Sequence, residues 1–232
     1  MSIENVLDNK TKLLLLDLRT DFQIEFEQKE IDYCEVFTKN RQATVYYNPK
    51  LIDNESIAHE LLHIKLKRYD YVIGNHIYFS CLNHLKLQKI FNKFLCDYIG
   101  NCLDHYKMYP EYVEMGYSPE GFLTNGLDEK CSLLDIKSLN LSFLKTYKAK
   151  SIELYIGYLI SIYADHVDNN YNEHLKFLRE KDSDLFDIVS RFWDKWKVFD
   201  IKNIDAIYNS DLELADSFIS DLVEWIKQKK IK

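Results

Sequence analysis

The chain has 232 residues, 47% hydrophobic and 29% charged, which is enough to bury a sizeable core. Its 30 basic and 37 acidic residues leave a net charge of −7, which argues against a protein that lives on nucleic-acid phosphates. Six glycines and three prolines exclude a linker-rich chain and favour helix.

Residues 2–18 are expected to form a short opening helix. Phe22, Ile24 and Phe26 alternate with polar residues, the period of a half-buried strand. Ile31–Phe37 and Ala43–Tyr47 are rich in aromatic and β-branched residues and flank the polar Lys39-Asn40-Arg41-Gln42. This pattern predicts a small antiparallel sheet ending in a hairpin and closed by Pro49. Residues 53–69 read as a helix, with Asp53 as N-cap and Glu55 in the first turn. Ile57, Ala58, Leu61, Leu62 and Ile64 cover most of its circumference, so it should be buried. A loop around Gly74 is expected next, then a long helix over residues 82–108 that stops before Pro110.

Residues 116–131 hold three of the six glycines and Pro119, and predict a loop. The remainder reads as helical to the end. Ile152–Ala164 is 13 positions long and contains Glu153, too short and too polar for a membrane span, so it reads as a core helix. Ser210 and Glu213 form a capping box ahead of the stripe Leu212, Ala215, Phe218, Ile219, Leu222, Val223 and Ile226. Lys227, Lys229, Lys230 and Lys232 read as a solvated helix end. Five cysteines (Cys34, Cys81, Cys96, Cys102, Cys131) with no CxxC pair argue against a disulfide framework or a thiolate-held zinc. Free thiols in a reducing compartment are expected instead. The opening MSIENVLDNKTK and the short run Leu13–Leu16 lack a cleavage-site pattern. The expectation is a soluble cytoplasmic protein with neither membrane nor nucleic acid as partner.

One string carries chemistry: His59-Glu60-Leu61-Leu62-His63, an H-E-x-x-H. On a helix, residues four apart share a face, so two imidazoles can bind one metal ion at about 2.0–2.1 Å each. Glu60 sits beside them, placed to accept a proton from an attacking water and poorly placed as a ligand. By chance the pattern is expected on the order of once in a hundred such chains. Read without a metal, the same residues are ordinary helix histidines with Glu60 in a surface ion pair. Two histidines and a glutamate are costly to bury on an apolar helix without a metal or other partners.

The motif resembles that of the zincin metallopeptidases. With Ser56-Ile57-Ala58 before it and Leu61-Leu62 within it, the stretch is similar to the small bacterial and phage zincins of the ImmA/IrrE kind. The resemblance covers roughly residues 40–120, and its specific part is the five-residue core. It implies an edge strand beside the substrate cleft, here Ala43–Tyr47, leading into the active-site helix. Leu66 and Tyr69 stand where metzincins carry a glycine and a third histidine, which argues against that subgroup.

A catalytic zinc needs a third protein ligand. The second long helix offers Asp97, Asn101, Asp104 and His105, which fall within about a 100° arc. Asn101-Cys102-Leu103-Asp104-His105, followed by Met108-Tyr109-Pro110, resembles a helix end in small zincin-like proteins. That resemblance implies His105 as the third ligand, with Asn101 or Asp104 orienting a ligand imidazole. Asp97 and Asp104 are rival ligands, and Asp70 is a weaker one. For the oxyanion, Tyr112, Tyr117 and His166 are candidates, although packing explains each as well. His76, His84 and His174 have no spacing partner. No GxGxxG, GxxxxGK[ST] or GxSxG occurs.

The expected fold is α+β and mainly helical: a small antiparallel sheet on the H-E-x-x-H helix, then a helical C-terminal half. A zincin-like domain over 1–128 and a helical region over 129–232 could share one core. The expected function is a Zn²⁺-dependent metallopeptidase acting on a peptide or protein substrate, with Glu60 as general base. Manganese, iron or cobalt could occupy such a site. The alternatives are a zincin-like metal-binding regulatory domain with little proteolysis, whose C-terminal helices bind a protein partner, and a helical interaction protein with an accidental motif.

Overall fold

The computed structural model describes residues 3–123, 128–143, 146–167, 169–204 and 210–232. In chain order, α1 (Asn9–Leu18) leads into β1 (Gln23–Gln28), β2 (Glu35–Lys39), β3 (Gln42–Tyr47), α2 (Asn54–Leu66), α3 (Ile73–Leu82) and α4 (Lys93–Glu114). Then follow α5 (Leu133–Ser138), β4 (Ser142–Phe143), β5 (Thr146–Tyr147), α6 (Ala149–Ala164), α7 (Asn172–Lys181), α8 (Ser183–Val198), α9 (Asp211–Ile226) and β6 (Lys230–Ile231). The class is α+β with helix predominant. No helix among the described residues is long and apolar enough to cross a membrane.

The chain forms two compact units, Met1–Asp70 with Lys107–Asp128, and Tyr71–Tyr106 with Glu129–Lys232. Helix α4 is one unbroken element whose first part belongs to the second unit and whose last part belongs to the first.

The first unit is built on a three-stranded sheet of order β1-β3-β2. The expectation of an antiparallel sheet is corrected here: β2 pairs antiparallel with β3, but β1 runs parallel to it. The hairpin itself forms as the alternation suggested. Its turn is the pair Asn40-Arg41, with φ of 48° and 62°, so two non-glycine residues adopt the left-handed conformation that two-residue hairpin turns require. Ile24, Ala43, Val45 and Tyr47 are buried, α2 packs on β2 and β3, and α1 packs on α2. The strand Ala43–Tyr47 is therefore the centre of the sheet, not its edge. Local alternation cannot reveal this, because β1 joins β3 across an intervening strand.

Asp53 caps α2 as expected, accepting from the Ser56 amide at 2.7 Å. The helix ends at Leu66 and passes into a 3₁₀ turn over Lys67–Tyr69. Both bounds expected for the next long helix (82–108) are also corrected, because α4 begins only at Lys93, after a 3₁₀ turn over Leu87–Lys89, and continues through Pro110 to Glu114. Pro110 removes one helical N–H at a cost of about 3 kcal/mol. Met108 and Tyr112 on either side are buried in the first unit, which offsets that cost.

In the second unit, the segment around Gly74 is not a loop but α3. A Cβ at Gly74 would lie 3.2 Å from Gly100 Cα and 3.3 Å from the Cys96 carbonyl oxygen, so the bare glycine allows α3 to approach α4. Tertiary packing here overrides a poor helix former. Helix α9 packs on α3 and α8. Ser210 caps α9 by accepting from the Glu213 amide at 3.3 Å. The C-terminal half is not wholly helical: β4, β5 and β6 make a second small sheet, with strands of two residues, too short to leave a periodic signal. The cysteines are free, and Cys81, Cys96, Cys102 and Cys131 are buried.

The α3–α4 approach makes an asymmetric prediction. Gly74→Val should destabilise the protein by about 1–3 kcal/mol through overpacking against backbone. Gly100→Ala, whose Cβ would meet only Gly74 Cα at an ordinary 3.7 Å, should stabilise it by about 0.5–1 kcal/mol through helix propensity. Urea denaturation of both variants reads the difference.

Candidate metal centre

Helix α2 is apolar almost all round: Ile57, Ala58, Leu61, Leu62 and Ile64 are at most 1% exposed. His59, Glu60 and His63 interrupt this surface. The two imidazoles stand one turn apart with ring centroids 5.0 Å apart and planes at 67°. His59 is buried, and its ring lies 4.8 Å from that of Phe122. Phe122 is held in turn by Tyr109 and Tyr112 at centroid distances of 5.1 and 5.0 Å. Glu55, in the first turn of α2, accepts from the Ser118 amide at 3.1 Å and ties down the segment that carries Phe122.

The Glu60 carboxyl is pushed up to about 7. Desolvation is the largest cause; His63 opposes it, the like charge of Glu35 adds to it, and the backbone N–H of Val36 opposes it. Val36 lies on β2, one of the two edge strands of the sheet, and α2 packs on that strand. The strand beside Glu60 is thus β2, which takes the place expected for Ala43–Tyr47. The register fixes what this edge offers. Lys39 and Gln42 close the two-residue turn, so Phe37 and Thr44 form the next hydrogen-bonded pair. Val36 and Thr38 therefore point their N–H and C=O groups away from the sheet.

The polar stripe of α4 divides. Asp97 is exposed and pairs with Lys93 at 2.6 Å, and Asn101 is exposed as well. Asp104 and His105 are buried, and Asp104 accepts a hydrogen bond from the Tyr71 hydroxyl. Among the described residues, His59, His63 and His105 form a group whose donor atoms all lie within 4.8 Å of one another. Tetrahedral donors at 2.0–2.1 Å from an ion stand about 3.4 Å apart, so the spread is within reach of side-chain adjustment. Three neutral imidazoles suit zinc, copper, iron or nickel. Neither Asp97 nor Asp104 joins this group. Asp70 stands exposed after α2 and pairs with Arg41 at 2.9 Å.

The remaining candidates have other surroundings. Tyr112 belongs to α4 rather than a loop and is fully buried against Phe122 and Tyr117. Tyr117 donates its hydroxyl to Asp8 at 3.0 Å. His76 pairs with Asp216 at 2.6 Å, and His174 is buried beside Tyr171. Pattern reading did not single out Phe122, Tyr71 or Trp196. No periodicity or motif marks them, and only the folded chain brings them beside His59 or the Leu103–His105 turn.

No family model, no curated protein and no solved structure matches the chain.

Because Phe122 is 2% exposed and fills the space against His59, Tyr109 and Tyr112, its removal opens a cavity in the first unit. Phe122→Ala should cost about 3–5 kcal/mol of stability, measured by urea denaturation followed by aromatic fluorescence or circular dichroism.

Proposed function

We propose that the chain is a zincin-like metallopeptidase, with His59, His63 and His105 holding a zinc ion and Glu60 as general base. The observation that carries this reading is the gathering of three imidazole donors, two of them the histidines of an H-E-x-x-H on α2 and the third on α4. A bound zinc would supply Lewis acidity toward a water molecule and a peptide carbonyl.

The chain's own groups do the rest. A peptide in extended form can add to β2 through the outward C=O of Val36 and the outward N–H and C=O of Thr38, as in β-strand addition, while the Val36 N–H stays on the Glu60 carboxylate. Glu60 takes the proton of the attacking water as its oxygen bonds to the scissile carbonyl carbon. It then gives that proton to the amide nitrogen as the C–N bond breaks, which leaves a carboxylic acid and an amine; the acid's remaining proton passes to the amine or to solvent as the products separate. The desolvated surroundings that raise the Glu60 carboxyl suit both proton transfers. The resemblance to small zincins supports the same assignment.

Elemental mass spectrometry of protein purified without chelators or affinity metals tests the reading. About one zinc per chain is expected in the wild type and loss of zinc in His63→Ala. Glu60→Gln should keep the metal and lose about 10²–10⁴-fold of peptide-library cleavage. A wild type that takes up no metal when zinc is offered overturns the proposal. So does a Glu60→Gln variant that cleaves as well as the wild type.

A further inference from the structure

We propose that Tyr71 and Trp196 are positioning residues for His105, setting the rotation of α4 at the turn that presents this imidazole. The inference rests on the metal-site reading above and concerns contacts made inside the second unit.

Two adjacent residues of that turn are held from outside the helix. The indole Nε1 of Trp196 on α8 donates to the Leu103 carbonyl at 3.2 Å. The Tyr71 hydroxyl donates to Oδ1 of Asp104. Tyr71 and Trp196 also pack on each other, with ring centroids 5.8 Å apart, and Trp196 stacks on Phe199 at 5.4 Å. Tyr71 is anchored through its neighbour: the Val72 amide donates to the buried carboxylate of Asp211, at the start of α9, at 2.8 Å. Trp196 is fully buried, and Tyr71 and Asp104 nearly so.

This arrangement does more than fill space. Successive helical residues are 100° apart, so fixing the directions of Leu103 and Asp104 fixes that of His105. A donor atom about 6 Å from the helix axis moves about 1 Å for each 10° of rotation, against a tolerance of about 0.2 Å at a metal. Two directional hydrogen bonds at neighbouring residues add an angular restraint to that of the surrounding packing. Removing the Tyr71 hydroxyl also takes from a buried carboxylate one of its donors, and the side chain would relax by turning α4.

Metal-free protein is titrated with Co²⁺, following the visible absorption of the bound ion and competition with a chelator. Tyr71→Phe and Trp196→Phe are expected to bind about 10–100-fold more weakly and to show an altered spectrum. Tyr155→Phe is the control for general loosening of the same unit. It removes bonds to the Leu178 and Asp182 carbonyls at 2.9 and 3.1 Å, lowers stability and should leave affinity and spectrum unchanged. Asp104→Asn, whose amide oxygen still accepts from Tyr71, should retain much of the affinity, while Asp104→Ala should lose it. Should Tyr71→Phe fail to fold, Trp196→Phe and the Asp104 pair decide the question. Wild-type affinity in Tyr71→Phe or Trp196→Phe overturns the positioning role and leaves the metal reading standing. A wild type that binds neither Co²⁺ nor Zn²⁺ overturns the metal reading and the positioning role together.

Discussion

The structure turns on setting a buried imidazole, a half-buried one and a half-buried carboxylate into the surface of an apolar helix. Burying polar groups costs several kcal/mol unless other groups meet them. Around α2, Phe122 covers His59, and the Val36 N–H faces the Glu60 carboxylate. The apolar remainder of α2, from Ile57 to Ile64, supplies the burial that keeps the helix in place while these groups sit in it. The same desolvation raises the Glu60 carboxyl, so the property that strains the fold also tunes the group proposed to move the proton.

The insertion of β3 between β1 and β2 has a functional consequence. With β3 central, its backbone groups are committed to the sheet, and β2 becomes an edge strand on the α2 side. An edge strand carries unpaired N–H and C=O groups and is a template for a further strand. The two-residue turn at Asn40-Arg41 sets which residues offer them, placing Val36 and Thr38 outward. Under the proposed function, peptide binding and proton transfer thus converge on Val36, whose strand neighbours Glu60.

Within the second unit, the first part of α4 is held from outside the helix. There Leu103 and Asp104 are held by Trp196 and Tyr71, and α3 lies close at Gly74 and Gly100. These contacts join residues as far apart in sequence as Leu103 and Trp196. They lie at the buried end of the polar stripe of α4, where Asp104 is covered by Tyr71, while Asp97 and Asn101 are exposed.

The sequence by itself determined what depends on local chemistry. The alternation at Phe22–Phe26 and Ala43–Tyr47, the Asp53 and Ser210 caps, the apolar faces of α2 and α9 and the shared face of His59 and His63 arise from neighbours within a few residues, so spacing reveals them. Helix periodicity alone left four polar residues of α4 level as third ligands, and only the resemblance singled out His105. Tertiary structure decided what rests on distant neighbours: the parallel pairing of β1, the edge position of β2, the passage of α4 through Pro110 and the helix at Gly74. It also decided which polar residues of α4 are buried and what covers His59. The physical reason is that burial and strand order are set by contacts between remote segments. Their combined energy outweighs a single proline or glycine, and no local pattern encodes them.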